Sequence, residues 1–193
     1  MSDATFISEI GTAIYPHLNK PDVRFNENGE YKVNLSIPED KAQVMVNKIE
    51  KAIEHSISDA ETNGKGKKIK IAPKPFETKD GHTVFKFKMK ATGMNRKTKE
   101  PFSQRPMLFD AKKNPIEPSS CSIWGGSKLK IAFTMREYYS PAIGAGVVLQ
   151  LKAVQVLELV EGKQQLDLFS EEDGYTNSTT STNETEVQTN SDF

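Results

Sequence analysis

The sequence predicts a mainly β fold: an OB-like barrel of five or six antiparallel strands with one amphipathic helix. Apolar and polar residues alternate with period two in several separate stretches, which is the pattern of strands with one buried face. Only one stretch has helical periodicity, whereas a parallel α/β fold needs several crossover helices. The length of 193 residues suits one such domain with an appendage.

The most extended alternating stretch, residues 124–160, predicts a hairpin that forms the centre of the barrel. Pro141 and the glycines that follow it supply the turn between the two strands. In the second strand the apolar phase shifts at Val154, which predicts either a β-bulge or burial on both faces. The first strand alternates an apolar face with a cationic one: Leu129, Ile131, Phe133 and Met135 against Lys128, Lys130 and Arg136.

The first 63 residues predict two strands and the helix. Residues 5–18 form the first strand with a possible bend at Gly11, and residues 19–22 form a turn because they contain Asn, Pro and Asp. Residues 31–37 form the second strand, which Pro38 ends. From Glu39 to about Asn63, apolar residues recur every four positions and acids occupy the first turn, as in a helix with one buried stripe.

The next segment predicts a loop and a strongly cationic strand. Residues 64–79 are rich in Lys, Gly and Pro, and are predicted to be a loop. After the Asp80-Gly81 turn, three buried positions alternate with three lysines: Phe85, Phe87 and Met89 against Lys86, Lys88 and Lys90. Residues 105–109 predict a short strand, and residues 110–122 predict a connector that leads into the central hairpin.

Charge divides the chain into a basic body and an acidic tail. All 26 Lys and Arg residues lie at or before Lys163, so residues 1–163 carry +7 and residues 164–193 carry −7. We therefore predict a domain at 1–163 and a flexible tail at 164–193. This asymmetry favours a polyanionic partner, with the tail as a competitor or docking segment, although a merely solubilising tail is the simpler alternative.

Several function classes are disfavoured. The sequence lacks the motifs of serine hydrolases, zinc proteases and P-loop enzymes, so we expect no enzyme, no catalytic residue and no cofactor. His17, His55 and His82 do not form a ligand-spaced cluster, so we expect no metal site. The single Cys121 and the lack of a membrane-spanning or signal-peptide pattern predict a cytosolic protein with no membrane association.

The combination of cation rows and aromatic residues favours single-stranded nucleic acid. Ammonium groups two residues apart on a strand suit the repeated phosphates of one polynucleotide chain, and aromatic rings stack on bases of any sequence. We expect the two lysine-bearing strands to be neighbours, and we expect Tyr138 and Tyr139 to divide between core and stacking. The candidate phosphate contacts are Lys86, Lys88, Lys90, Arg96, Lys97, Lys99, Lys128, Lys130 and Arg136, and the candidate stacking residues are Phe102, Trp124, Tyr138 and Tyr139.

The chain resembles the single-stranded DNA-binding proteins of T-odd, T-seven-like bacteriophages. The resemblance is carried by the order and spacing of segments along most of the chain, and it ends in an acidic tail that finishes Asp192-Phe193. The tail here has fewer acids than is typical of that family. The matching segments include GEYKVNLSIP at 29–38, TVFKFK at 83–88, RKTKE at 96–100, GGSKLK at 125–130 and IGAGVVLQLKAVQVLEL at 143–159.

The resemblance implies an OB-fold and a role in phage DNA replication, recombination and repair within the cytoplasm of an infected bacterium. It implies coating and annealing of single strands, and contacts with the phage polymerase and primase-helicase. It also implies a homodimer whose tail occupies the DNA groove when DNA is absent, with Phe193 needed for partner contact.

Three alternatives remain open from the residues themselves. An RNA-binding OB-fold protein fits equally well, because stacking and phosphate contacts do not read the 2′-hydroxyl. A non-catalytic adaptor fits if the lysine rows are only solvated. A metal-dependent nuclease is the third alternative, although the acids of the body are scattered along the sequence.

Overall fold

A computed structural model describes residues 4–64, 69–95 and 97–162. Within these ranges the chain forms ten strands and one helix. Their bounds are β1 (Thr5–Ile7), β2 (Gly11–Asp22), β3 (Glu30–Pro38), α1 (Glu39–Asn63), β4 (Phe76–Lys79), β5 (His82–Lys90), β6 (Thr92–Met94), β7 (Pro101–Ser103), β8 (Met107–Phe109), β9 (Lys128–Ser140) and β10 (Gly144–Glu158).

Five of these strands close into a ring. The order is β2-β3-β5-β10-β9, and β9 returns to β2, so no edge of the ring is left open among the described residues. Four of the five pairings are antiparallel and β5–β10 is parallel, which is the arrangement of a five-stranded OB barrel. The predicted mainly β fold is therefore confirmed. Strands β1, β4 and β8 extend the sheet, and β6–β7 form a separate hairpin.

The interior of the ring is filled by the apolar faces that the alternation predicts. Val33, Leu35, Phe85, Phe87 and Phe133 are all buried in one cluster. In β10 the inward set changes phase at Lys152, because the pairing with β9 slips between Leu151 and Ala153. Side chains on either side of one extra residue can then face inward. The predicted phase shift is thus a β-bulge, and Ala153, two residues after the buried Leu151, lies outside the core.

The helix packs one face against this core. It begins directly after Pro38 and carries Glu39 and Asp40 in its first turn, where the helix dipole favours acids. It contributes Met45, Ile49 and Ile53 to the buried cluster. The hydroxyl of Ser56, which is buried, lies 3.2 Å from each of the carbonyl oxygens of Tyr138 and Gly146. The helix therefore fixes the β9 and β10 backbones near their connecting turn.

Three local predictions differ from the structure. The expected single strand at residues 5–18 is two strands, and the expected turn at residues 19–22 continues β2. Asn19 explains the second difference, because its amide nitrogen donates to the carbonyls of Pro118 and Cys121 at 2.8 Å and its amide oxygen accepts from the Ile123 amide at 3.0 Å. The expected loop at 64–79 ends in β4, which pairs with β5 through a turn at Asp80 and Gly81, both of positive φ.

Candidate nucleic-acid interface

The outer face of β5 carries three lysines because the opposite face is buried. Lys86, Lys88 and Lys90 are exposed between inward residues of the same strand. Antiparallel pairing with β3 places Asn34 opposite Lys86, Lys32 opposite Lys88 and Glu30 opposite Lys90. Two lysines therefore face each other directly, which is unfavourable unless nearby anions compensate.

The two predicted cation rows are not on neighbouring strands. Strand β10 lies between β5 and β9, so the expectation of adjacent rows is wrong. The separation has a consequence for the surface, because the outward residues of β10 lie between the cations. Gln150 pairs with Lys88, and Val148 pairs with Arg136. A strip of Val148 and Gln150 therefore separates the β5 lysines from the Arg136 guanidinium.

These cations line one continuous depression, which we call the central groove. One part of the groove, of about 270 Å³, is lined by Lys88, Lys90, Arg136, Phe102 and Tyr138. The adjoining part, of about 280 Å³, adds Lys86 beside Pro73 and Pro75 and shares Lys88, Tyr138 and Val148 with the first. Six residues that the sequence indicated for binding, four cations and two aromatics, thus lie together over an apolar and amide floor.

Both aromatic side chains of the central groove are held by close backbone packing. Phe102 pairs across the β6–β7 hairpin with Gly93, where an added Cβ would lie 2.9 Å from the Phe102 Cζ atom. Tyr138 pairs with Gly146, where an added Cβ would lie 3.3 Å from the Tyr138 hydroxyl oxygen and 2.8 Å from the Ala72 Cβ. A residue without a side chain at each position lets the ring approach the backbone. The rings are therefore placed before any ligand arrives.

Acidic groups partly offset the charge of this face. Lys88 Nζ lies 4.0 Å from a Glu30 carboxylate oxygen, and Lys32 Nζ lies 2.7 Å from Asp22 Oδ2. The Asp22 side chain is only 3% exposed and also accepts hydrogen bonds from Arg24. Hydrogen bonds from Arg24 and then from Lys32 hold the pKa of Asp22 far below its usual range. Asp22 is therefore ionised and fixes two cations beside the central groove.

The remaining β9 residues indicated by the sequence lie apart from the central groove. Lys128 Nζ donates to the Thr12 hydroxyl at 2.8 Å. Lys130 lines an apolar trough with Ile7 and Phe109, six residues and about 20 Å of extended strand from Arg136. Tyr139 faces away from Tyr138 and is 52% exposed, whereas Tyr138 is half-buried. Neither tyrosine is in the core, so the expectation that one of them would be buried there is wrong.

The other sequence-indicated residues divide among three locations. Lys97 and Lys99 are exposed at the turn of the β6–β7 hairpin, where Lys99 has a φ of 61°. Trp124 lines a separate depression together with Lys32 and Asn34. Arg96, Asp192 and Phe193 lie outside the described residues, as does the whole predicted tail.

Sequence reasoning missed the part of the groove lining that lies on β3. Lys32 and Asn34 occupy the outward positions of β3, and both line the central groove. Their alternation with buried Tyr31, Val33 and Leu35 was visible in the sequence and could have identified them. Tyr15 and Phe25, which are 79% and 89% exposed, had no comparable signal, because each depends on a bend in the chain.

Other kinds of site receive no support from the described part of the chain. It contains no group of three or more His, Cys, Asp or Glu side chains arranged to hold a metal ion. The described helix is too polar to span a membrane.

Comparison with known proteins gives consistent matches along most of the chain. The family model for the single-stranded DNA-binding protein of bacteriophage T7 matches residues 10–159. The single-stranded DNA-binding protein of Escherichia phage T7 is 34% identical, with 91% of this chain and 86% of the relative covered. The corresponding protein of Enterobacteria phage T3 is 32% identical, with 89% and 84% covered.

Solved structures give the same result at the level of the fold. The crystal structure of gp2.5, the single-stranded DNA-binding protein encoded by bacteriophage T7, matches with a TM-score of 0.73 and 35% identity, covering 92% of this chain and 100% of that one. The single-stranded DNA-binding protein from bacteriophage Enc34 in complex with ssDNA matches with a TM-score of 0.58 and 19% identity, covering 81% and 88%. The second similarity concerns the fold alone.

Proposed function

The chain belongs to the bacteriophage T7 single-stranded DNA-binding protein family, and we propose that it binds single-stranded DNA in the central groove without sequence preference. The observation that carries this proposal is the convergence of five cations, Lys32 among them, and two aromatic rings on one groove. In OB-folds the face of the second and third barrel strands, here β3 and β5, is a common site for oligonucleotides.

The groove chemistry favours one strand over a duplex. Lys86, Lys88, Lys90 and Arg136 supply charge to successive phosphates, and Phe102 and Tyr138 supply flat faces for unpaired bases. Bases already stacked in a duplex cannot reach such rings. Because every base has a π-face, stacking of this kind is tolerant of sequence.

We further propose that the protein serves phage DNA replication, recombination and repair as a non-catalytic component in the cytoplasm of the infected bacterium. By resemblance to the family, it coats and anneals single strands, forms a homodimer, and contacts the phage polymerase and primase-helicase. Residues 164–193 act in this scheme as an acidic competitor for the basic groove, and Asp192-Phe193 as a docking end for partners. The net charge of −7 on this segment supports the competitor role.

The test is a binding series with oligo-dT at increasing salt, on the full chain and on a chain ending at residue 163. We expect log affinity to fall linearly with log salt at a slope of about −0.7 for each phosphate contacted. Removal of residues 164–193 is expected to tighten binding most at low salt, because an intramolecular anion is lost. No retention of oligo-dT at low salt would contradict the proposal and favour an adaptor role.

Two additional measurements test an RNA-binding role and a nuclease role. Competition between matched oligo-dT and oligo-U distinguishes a DNA-binding from an RNA-binding protein, which groove chemistry alone does not separate. Incubation of end-labelled single strands with Mg²⁺ detects nuclease activity. Intact label supports a non-catalytic role, and shortened products contradict it.

A further inference from the structure

A second depression, which we call the side groove, adjoins the central groove across β3. It has a volume of about 840 Å³, roughly three times that of the first part of the central groove, and Lys32 and Asn34 line both depressions. Its other walls come from β2, from the connection that follows it, and from the segment before β9. They include Tyr15 from β2, Arg24 from the β2–β3 connection, and Trp124 from the segment before β9.

Tyr15 is turned outward by an irregularity in β2. The pairing of β2 with β3 slips between Ile14 and His17, and Tyr15 has a φ of 48°. Positive φ is uncommon for a bulky residue and costs free energy, so it persists only where the surrounding structure enforces it. The result is a phenol ring that is 79% exposed on the rim of the side groove.

Phe25 is exposed beside Arg24 and Lys32, two cations that line the same groove. Its ring centroid is 5.8 Å from the Arg24 guanidinium carbon and 5.9 Å from Lys32 Nζ. Both cations are anchored to Asp22, with Arg24 Nη2 at 2.9 Å and Lys32 Nζ at 2.7 Å from Oδ2. A ring that is 89% exposed is thus supported by cation–π contacts and a buried carboxylate.

Trp124 completes the set from the opposite wall. Its ring packs against Gly162, where an added Cβ would lie 2.6 Å from the indole, and its amide donates to the Val160 carbonyl at 3.1 Å. The side chain is nevertheless 47% exposed, so one part of the indole is packed and another faces the groove. A half-packed, half-exposed ring is suited to stacking because it loses little conformational freedom when a base arrives.

We infer that the side groove is a second base-stacking subsite for the same DNA strand, with Tyr15, Phe25 and Trp124 as its stacking residues. The inference rests on the proposed function, since the strand reaches the side groove from the central groove over Lys32 and Asn34. The two subsites differ in chemistry. Asp22 already neutralises much of the charge of Arg24 and Lys32, so the side groove contributes stacking and little additional phosphate binding.

The test compares wild-type protein with the variant Tyr15→Ala/Phe25→Ala/Trp124→Ala on oligo-dT of about 4 and about 16 nucleotides, the limits of site size for one OB-fold. We expect the variant to bind the short oligonucleotide as wild type does and to bind the long one at least about fivefold more weakly. The salt slope for the long oligonucleotide should not change. Tyr139→Ala is the matched control, since this exposed ring lies outside the linings of both grooves.

Trp124 also gives a direct optical signal, because it is the only tryptophan in the chain. We expect saturable quenching of wild-type tryptophan fluorescence by the long oligonucleotide and little quenching by the short one. Equal thermal unfolding midpoints of variant and wild type establish that the variant is folded. If the triple variant is not folded, the single variant Phe25→Leu, which keeps an apolar side chain without a flat ring, replaces the triple variant in the binding test.

The outcomes separate this inference from the proposed function. Wild-type binding with unchanged affinity of the variant for the long oligonucleotide overturns the side-groove subsite and leaves central-groove binding intact. An equal loss on both oligonucleotides also overturns it, because the effect is then not confined to a second subsite. Failure of wild-type protein to bind either length overturns the proposed function itself.

Discussion

His55 Nδ1 lies 2.7 Å from Glu137 Oε2, so a hydrogen bond, which is an ion pair when His55 is protonated, joins helix α1 to strand β9 one residue before Tyr138. The hydrogen bond to Glu137, then the Glu137 charge, raises the pKa of His55, and the carboxylate of Asp59 on the same helix adds to this. Together with the contact of Ser56 with the Tyr138 carbonyl, this pair fixes the backbone that carries a groove aromatic.

The first prediction concerns the pH dependence of this ion pair. Because the folded-state pKa of His55 is raised, the stabilisation is fully present below the unfolded value of about 6.5 and is lost as pH rises through the higher folded value. We expect NMR titration to place the His55 pKa above about 6.5 in wild type and to return it toward that value in Glu137→Gln. An unchanged His55 pKa in the variant would show that Glu137 is not the cause.

The second prediction concerns acid stability at Asp22. Its pKa is lowered in the folded state, so the contribution of Asp22 to stability is present above the unfolded value of about 3.9 and is lost as pH falls below it. We expect the urea midpoint of wild type to fall between about pH 5 and about pH 2, with a smaller fall in Asp22→Asn. Glu27→Gln, an exposed acid of the same connection, is the control and should keep the wild-type pH profile.

The third prediction separates lysines of the groove from lysines elsewhere on the barrel. Lys88→Ala is expected to make the salt slope of oligo-dT binding less steep by about 0.7, the value for one phosphate contact on a single strand. Lys130→Ala removes the same charge at a position about 20 Å along β9 from Arg136, outside the central groove. This variant should leave the salt slope unchanged. A fluorescence anisotropy titration at several salt concentrations measures both. Equal slopes for the two variants would contradict localisation of the strand to the central groove.

The fourth prediction uses two adjacent tyrosines that face opposite sides of β9. Tyr138→Ala removes a ring from the central groove and is expected to weaken binding about 5- to 150-fold, which corresponds to 1–3 kcal/mol for one stacked base. Tyr139→Ala should bind as wild type does, because Tyr139 does not line the groove. Tyr138→Phe keeps the ring and should retain affinity. A larger effect at Tyr139 than at Tyr138 would exclude the assigned strand face.

The strands of the ring were predictable where one face is buried. In β3, β5 and β9 the apolar residues recur at every second position, and the structure buries these residues except Met135 of β9, which is half-buried. One feature was not predictable because it depends on distant partners. Asn19 and its neighbours have the composition of a turn but form part of β2, since hydrogen bonds to residues about 100 positions away hold them.

The candidate site was predictable as a list of residue types but not as a place. Alternation identifies Lys86, Lys88 and Lys90 as outward side chains, yet it does not reveal that β10 lies between them and β9. Lys130 and Arg136 look equivalent in sequence and lie on different surfaces. The side groove is lined by Tyr15 and Trp124, with Phe25 beside the lining residue Arg24, and only the folded chain brings the segment of Trp124 to that of Tyr15.

The position of β10 in the ring also bears on how the molecule is made. Gly144–Glu158 is the strand that joins β5 to β9, and it lies near the end of the body of the chain. A nascent chain on the ribosome therefore presents the β10-facing edges of β5 and β9 unpaired until this segment emerges. Open strand edges promote intermolecular pairing. A chain terminated before Gly144 is thus expected to enter inclusion bodies, without retaining a partial function.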